Sequence, residues 1–207
     1  MRPCSVAPVN SSRVHSVIAL AACGASLALS LTACGSSSKD SASVEKASTE
    51  TAGPASPCPS APPASDVTPE WTLPGATGSV AVTGSTETMA PLITVSAPFS
   101  VAETKVHTLK AGDGPVVAPT ATVSVCYMGV DGRDGHVFDS SYERGTPADF
   151  PLDGVVPGFQ KAIAGQKVGS TVAVAMTAAD GYPKGEPRAG IEPGDTLVFA
   201  IKILGAS

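Results

Sequence analysis

Two-residue alternation governs the second half of the chain. In "TLVFAIKIL", residues 196–204, Leu197, Phe199, Ile201 and Ile203 alternate with Val198, Ala200 and Lys202. "TVSVCYMGV" (122–130) sets Val123, Val125 and Tyr127 on one face, and "TVAVAM" (171–176) does the same with Val172, Val174 and Met176. Successive side chains leave a strand on opposite sides, so this period predicts half-buried antiparallel strands with one face covered. Turn signals lie between them: "AGDGP", "DGRDG", "YPKGEPRAG" and "EPGD". With 21 glycines and 19 prolines in 207 residues, a helical bundle is the wrong class.

Helical spacing occurs once outside the N-terminal region. In "PGFQKAIAGQKVG", Pro157 suits a first helical turn, Phe159 and Ile163 fall four apart on one face, and Gly165 suits a C-terminal cap. One short helix against an antiparallel sheet is an α+β design. Residues 76–104 are ambiguous: they could add edge strands or drape over the sheet.

The N-terminal third has another character. Arg2 and Arg13 precede the apolar run "VIALAACGASLALSL", which is short for a bilayer span and suits a secretory signal. It ends in "LTAC", residues 31–34, which resembles a bacterial lipobox. That resemblance implies a signal peptide over 1–33, a diacylglyceryl group on Cys34, and an extracytoplasmic protein anchored to the cell membrane. Residues 34–75 are rich in Ser, Ala, Thr and Pro and bury too little apolar surface to offset their ordering entropy, so they are expected to form a disordered tether. The folded domain is expected over 76–207, with its core at about 104–205. Cys58 and Cys126 remain in a compartment that permits a bridge. Nothing in the sequence brings the "PCP" around Cys58 near the strand of Cys126, so the expectation is that they stay unpaired.

Searches for conventional chemistry return little. His15, His107 and His136 are scattered without metal-ligand spacing, and there is no nucleophile elbow, phosphate loop or dinucleotide fingerprint. A net charge of −5 without a basic stripe excludes a nucleic-acid partner as the natural reading. What recurs is aromatic and apolar residues at strand ends and around the helix, in a fixed order. Tyr127-x-Gly129 is followed by "DGRDGHVFDSSYERG", then "PADFPLDGVVPGF", "VGS", "DGY" and "GIEPGDTLVF". This ordered set resembles the FKBP family of peptidyl-prolyl cis–trans isomerases over residues 104–205.

The resemblance implies a curled antiparallel sheet wrapped around one short helix, with a cavity between them. It implies an isomerase of X–Pro bonds that needs no cofactor and no metal. Its partners would be proline-containing polypeptides and macrolide ligands. Phe159 would floor the pocket, and Tyr127, Phe138, Phe150, Val155, Val156 and Phe199 would wall it. Ile191 would present its backbone to the ligand, and Tyr182 would reach a substrate carbonyl. Asp139 would sit at the edge with Arg144 and Tyr127 near it, either as a fixed field on the substrate or as a purely structural anion. Tyr127, Asp139 and Tyr182 are thus the expected catalytic residues. The remaining residues, Arg144 and Ile191 included, would bind substrate. Three features depart from the family pattern: Phe159 replaces the tryptophan common there, Ala148 stands where some members have a pocket aromatic, and Glu192 replaces an apolar flap residue. They leave open an alternative, a peptide-binding or chaperone module with little isomerase activity.

Overall fold

A computed structural model describes residues 58–63 and 66–207. The expected signal segment 1–33, the expected lipidation site Cys34 and the expected tether up to residue 57 lie outside the described residues. In chain order the strands are β1 (Trp71–Pro74), β2 (Thr77–Thr83), β3 (Leu92–Ser100), β4 (Lys105–Lys110), β5 (Thr122–Asp131), β6 (Val137–Ser140), β7 (Ala148–Pro151), β8 (Thr171–Met176) and β9 (Leu197–Ala206). The helices are α1 (Ser141–Arg144) and α2 (Pro157–Ile163).

Six strands form an antiparallel sheet, five in the order β4-β8-β9-β5-β6 and the sixth, β7, also paired with β5. The outer edge of β5 is shared: its first half, Thr122–Val125, pairs with β7, and its second half, Met128–Val130, pairs with β6. Both short strands can use one edge because α1 turns the chain between them. Ser140 caps that helix by accepting the Glu143 N–H, and Gly145 ends it in the left-handed region at φ 68°. This one-turn helix was not expected from the sequence, because four residues are too few to show a 3.6-residue period.

The helix α2 lies against one face of the sheet. Pro157 occupies its first turn, and Phe159, Ala162 and Ile163 are buried in a core with Val123, Val125, Val172, Val174, Leu197, Ile201 and Ile203. These are the alternating residues read from the sequence. A Cβ on Gly158 would lie 2.8 Å from Met176, so only glycine lets the helix come this close to β8.

The opposite face departs from expectation. All six residues of β8 are buried, where alternation predicts three. The cover is a second, three-stranded antiparallel sheet, β1-β2-β3, whose Val80, Val82 and Phe99 pack on Ala173, Ala175, Val198 and Ala200. Residues 76–104 therefore neither drape nor simply extend the edge; most of them build this covering layer. Trp71 stacks on His107 of β4, ring centres 5.5 Å apart and 7° from parallel, which joins the two sheets at one edge.

Order also begins earlier than the expected boundary at residue 76. Cys58 and Cys126 form a disulfide, contrary to the expectation that they stay apart. The Ala90 N–H donates to the Ala61 carbonyl, so residues 58–61 lie as a strap across the domain, and Cys58, Ala90, Cys126 and Tyr142 make a small third core. The expected tether is thus fastened to the fold at Cys58 and Ala61, and Trp71–Pro74 within it is a strand.

Candidate functional site

Between the sheet and the start of α2 lies a cavity of about 380 Å³, within the range of small-ligand pockets. Its walls come from elements far apart in sequence: Tyr127 and Phe199 from adjacent strands β5 and β9, Phe138 and Asp139 from β6, Phe150 from β7, Val155 and Val156 from the turn before α2, Phe159 from α2, and Tyr182 from the loop after β8. Phe159 sits centrally, 5.4 Å from Phe199, 5.9 Å from Tyr127 and 5.9 Å from Phe150 by ring centre, each contact steep and edge-on. Phe138 meets Phe199 the same way at 5.5 Å. Edge-to-face packing is the favoured aromatic geometry and leaves ring faces free to receive an apolar ring. A Cβ on Gly129 would fall 2.6 Å from Phe138 and 2.7 Å from Phe199, so the glycine of the Tyr-x-Gly pair makes room for two walls.

One polar triad marks the edge. The Tyr127 hydroxyl donates to Asp139 Oδ2, Arg144 Nη1 donates to Asp139 Oδ1 at 2.6 Å, and Arg144 Nη2 donates to the Tyr127 hydroxyl at 3.0 Å. Burial, and then the hydrogen bond to Asp139, push the Tyr127 phenol up to about 12. The Tyr182 phenol is pushed up as well, first by burial and then by the charges of Glu186 and Asp139. Both stay protonated at neutral pH, but they differ in availability. The Tyr127 proton is engaged by Asp139. The Tyr182 hydroxyl finds no partner among the described residues and is free to donate to a ligand.

Residues 114–204 match the family model described as FKBP-type peptidyl-prolyl cis-trans isomerase. A probable FK506-binding protein of Corynebacterium glutamicum is 38% identical over 96 residues, an alignment spanning 46% of this chain and 80% of that protein. The chain belongs to the FKBP-type peptidyl-prolyl cis-trans isomerase family. An FKBP-type 22 kDa isomerase of Escherichia coli is 40% identical over 96 residues, with 46% of each chain covered. The crystal structure of FkpA from Escherichia coli aligns with 34% identity and a TM-score of 0.46, over 50% of this chain and 48% of that one. The matched segment begins after β4, so the covering sheet and the strap lie outside it.

Of the eleven site residues expected from the family resemblance, nine line the cavity and two do not. Arg144 lies outside the lining and bonds to Asp139 and Tyr127, where it orients the carboxylate. Ile191 is buried, and its backbone is engaged elsewhere: its N–H donates to the Glu186 carbonyl at 3.1 Å and its carbonyl accepts the Glu186 N–H at 2.9 Å. The free backbone donor lies at Val156, whose N–H finds no acceptor among the described residues although its carbonyl accepts from Phe159 and Gln160. Pro157 as the first helical residue is the signal that could have found it, since it makes Val156 the cap where helix donors and acceptors run out. Gly154 also lines the cavity and had no sequence signal of its own beyond its turn.

Proposed function

We propose that this FKBP-type isomerase turns X–Pro bonds of exported polypeptides on the outer side of a bacterial cell membrane, held there by lipid on Cys34. The observation that carries the catalytic part is the cavity itself: an aromatic, mostly apolar recess with a free phenol and a fixed carboxylate at its edge. An amide resists rotation because its resonance must be broken, at about 18–20 kcal/mol, and uncatalysed X–Pro exchange takes roughly 10–100 s. No covalent bond changes. Catalysis therefore requires only that the twisted amide be bound better than the planar one. The twisted form has lost the charge-separated resonance contribution, so a water-poor cavity favours it relative to water. The aromatic faces grip the proline ring. Tyr182 and the Val156 N–H can anchor the flanking carbonyls, while the Asp139 carboxylate, immobilised by two donors, supplies a fixed field beside the rotating bond.

The setting rests on the basic, apolar and "LTAC" sequence at the N-terminus, and it is supported by the Cys58–Cys126 disulfide, a bond that persists in oxidising compartments. With the strap fastened at Cys58, the tether from the lipidated residue would run only to residue 57. The cavity is also of a size and character that would admit a macrolide.

Adding the whole chain to a short X–Pro peptide and following cis–trans exchange by NMR or a protease-coupled assay tests the activity. Acceleration is expected, with inhibition by a macrolide. A folded protein that leaves the uncatalysed rate unchanged would mean a peptide-binding module instead. Cys34→Ala is expected to move the protein from the membrane fraction to the soluble one.

A further inference from the structure

Tyr182 reaches the cavity on a long loop that leaves β8 after Met176 and rejoins the sheet at Leu197. The loop folds on itself: Gly185 donates to the Tyr182 carbonyl at 2.9 Å, Glu186 and Ile191 bridge through both backbone bonds, and Gly190 closes on Pro187 at 3.2 Å. Its far limb is fastened to the turn between β5 and β6 by the Gly132 N–H, which donates to the Thr196 carbonyl at 2.8 Å, and by the side chain of Arg133. Arg133 Nη2 donates to the Gly190 carbonyl at 3.0 Å, and Nε donates to Asp195 Oδ2 at 3.3 Å. The same guanidinium lies 3.6 Å from Asp131, 3.1 Å from Asp134 and 3.9 Å from Glu192.

These carboxylates are unequal. Asp134 and Glu192 are largely exposed and contribute little through screened charge. Asp131 is 2% exposed, and Asp195 has a side chain 9% exposed. Asp131 Oδ1 accepts the Arg133 backbone N–H at 2.8 Å, whereas Oδ2 has no hydrogen-bond partner among the described residues. Asp195 accepts the Glu192 N–H at 2.7 Å and so holds the descending limb of the loop. Two carboxylates, Asp131 buried and Asp195 partly buried, one on each side of the join, thus face a single guanidinium fork.

The geometry points to Arg133 as a positioning residue for the isomerase reaction: by bridging Asp131, Asp195 and the Gly190 carbonyl, it sets the loop that places the Tyr182 hydroxyl at the cavity. This rests on the isomerase reading. Its distinguishing consequence is electrostatic. The charged groups facing Asp131 are Arg133 and Asp134 from its own turn and Asp195 and Glu192 from the loop, while β3 contributes only the Phe99 N–H to the Gly132 carbonyl there. Burial first, and then the neighbouring Asp195, hold the Asp131 carboxyl up at about 6, against the Arg133 backbone N–H and, more weakly, the charge of its guanidinium. Without the guanidinium that carboxyl titrates higher still. Below that range Asp131 is neutral and can share a proton with Asp195. Above it, and without the guanidinium, two uncompensated charges, one buried and one partly buried, push the loop away.

The test uses the full chain with Arg133→Gln, Arg133→Lys and the double variant Asp131→Asn/Arg133→Gln. Two readouts are taken at about pH 5 and about pH 8: kcat/KM on an X–Pro peptide, and amide exchange over residues 182–195, each against wild type at the same pH. Arg133→Gln is expected to lose about five- to tenfold in kcat/KM at the higher pH, the scale of a small misplacement at a site. It should come close to wild type at the lower pH, with loop exchange faster only at the higher pH. The double variant should abolish this pH dependence, and Arg133→Lys, a point charge without the fork, should fall between. Unchanged loop exchange in Arg133→Gln, or a loss equal at both pH values, overturns the assignment. If Arg133→Gln fails to fold, the comparison of Arg133→Lys with wild type decides on the same two readouts. A wild-type chain without isomerase activity would overturn the isomerase reading alone, because loop exchange still reads the clamp.

Discussion

Replacing Asp139 with asparagine separates the two duties that a carboxylate at this site could have. The substitution keeps the shape and leaves an oxygen that can accept the Tyr127 hydroxyl, but it removes the charge that Arg144 Nη1 meets at 2.6 Å. The stability cost is small. The Asp139 and Arg144 side chains are 41% and 49% exposed, so solvent screens the pair and its loss costs about 1 kcal/mol or less. For a domain of this size that lowers Tm by about 2–4 °C. The catalytic cost expected from the proposed role is larger, because the carboxylate lines the cavity. A fully buried electrostatic donor at an active site supplies about 2.7–4 kcal/mol. Half-exposure halves this to roughly 1.4–2 kcal/mol, or about 10- to 30-fold in kcat/KM. The assay is X–Pro exchange by NMR or coupled proteolysis, run beside a thermal melt. A folded Asp139→Asn variant with kcat/KM within about twofold of wild type would refute the field argument and leave Asp139 as a structural partner of Arg144.

Two further outcomes follow from the disulfide and from the tyrosines. The disulfide closes a sequence separation of 68 residues, and chain entropy assigns such a cross-link about 4 kcal/mol; Cys58→Ser/Cys126→Ser should therefore shift the denaturant midpoint well below that of the oxidised protein, and coincident curves would show that the strap contributes nothing. The chain has three tyrosines, and all three phenols are raised above the ordinary value of 10, Tyr127 and Tyr142 to about 12 and both mainly by burial. Such a phenol favours its protonated form in the fold, so its contribution to stability is complete below pH 10 and is lost as pH climbs towards 12. Ultraviolet titration of the folded protein should show little tyrosinate at pH 10 and a normal curve in denaturant; half-ionisation of all three at pH 10 while folded would contradict the burial.

The parts of the fold legible in advance were those written in local windows. Period-two alternation located β5, β8 and β9, and Pro157 with the Phe159–Ile163 spacing located α2, because side-chain direction and capping depend on residues within a few positions of each other. The order of short motifs was enough to nominate Tyr127, Phe138, Phe150, Phe159 and Phe199 as one pocket. What they could not show was the use of each group within it. Arg144 and Ile191 were expected to meet substrate, yet Arg144 is turned to Asp139 and Ile191 has its backbone bonds satisfied by Glu186. The hydrogen-bond partner of a backbone group is a matter of how a loop closes, and loop closure has no local period.

The sequence alone determined that this chain forms an antiparallel sheet with one principal helix against it, since hydrophobic period and turn chemistry act over a few residues, and its family resemblance implied an aromatic cluster at the helix start. Only the tertiary structure decided that the sheet is covered on both faces, that Cys58 finds Cys126, and that Arg133 joins the Tyr182 loop to the β5–β6 turn. Each joins segments tens of residues apart. Such contacts form only when the whole chain has closed, and their free energy lies in packing and charge pairing that no single stretch contains.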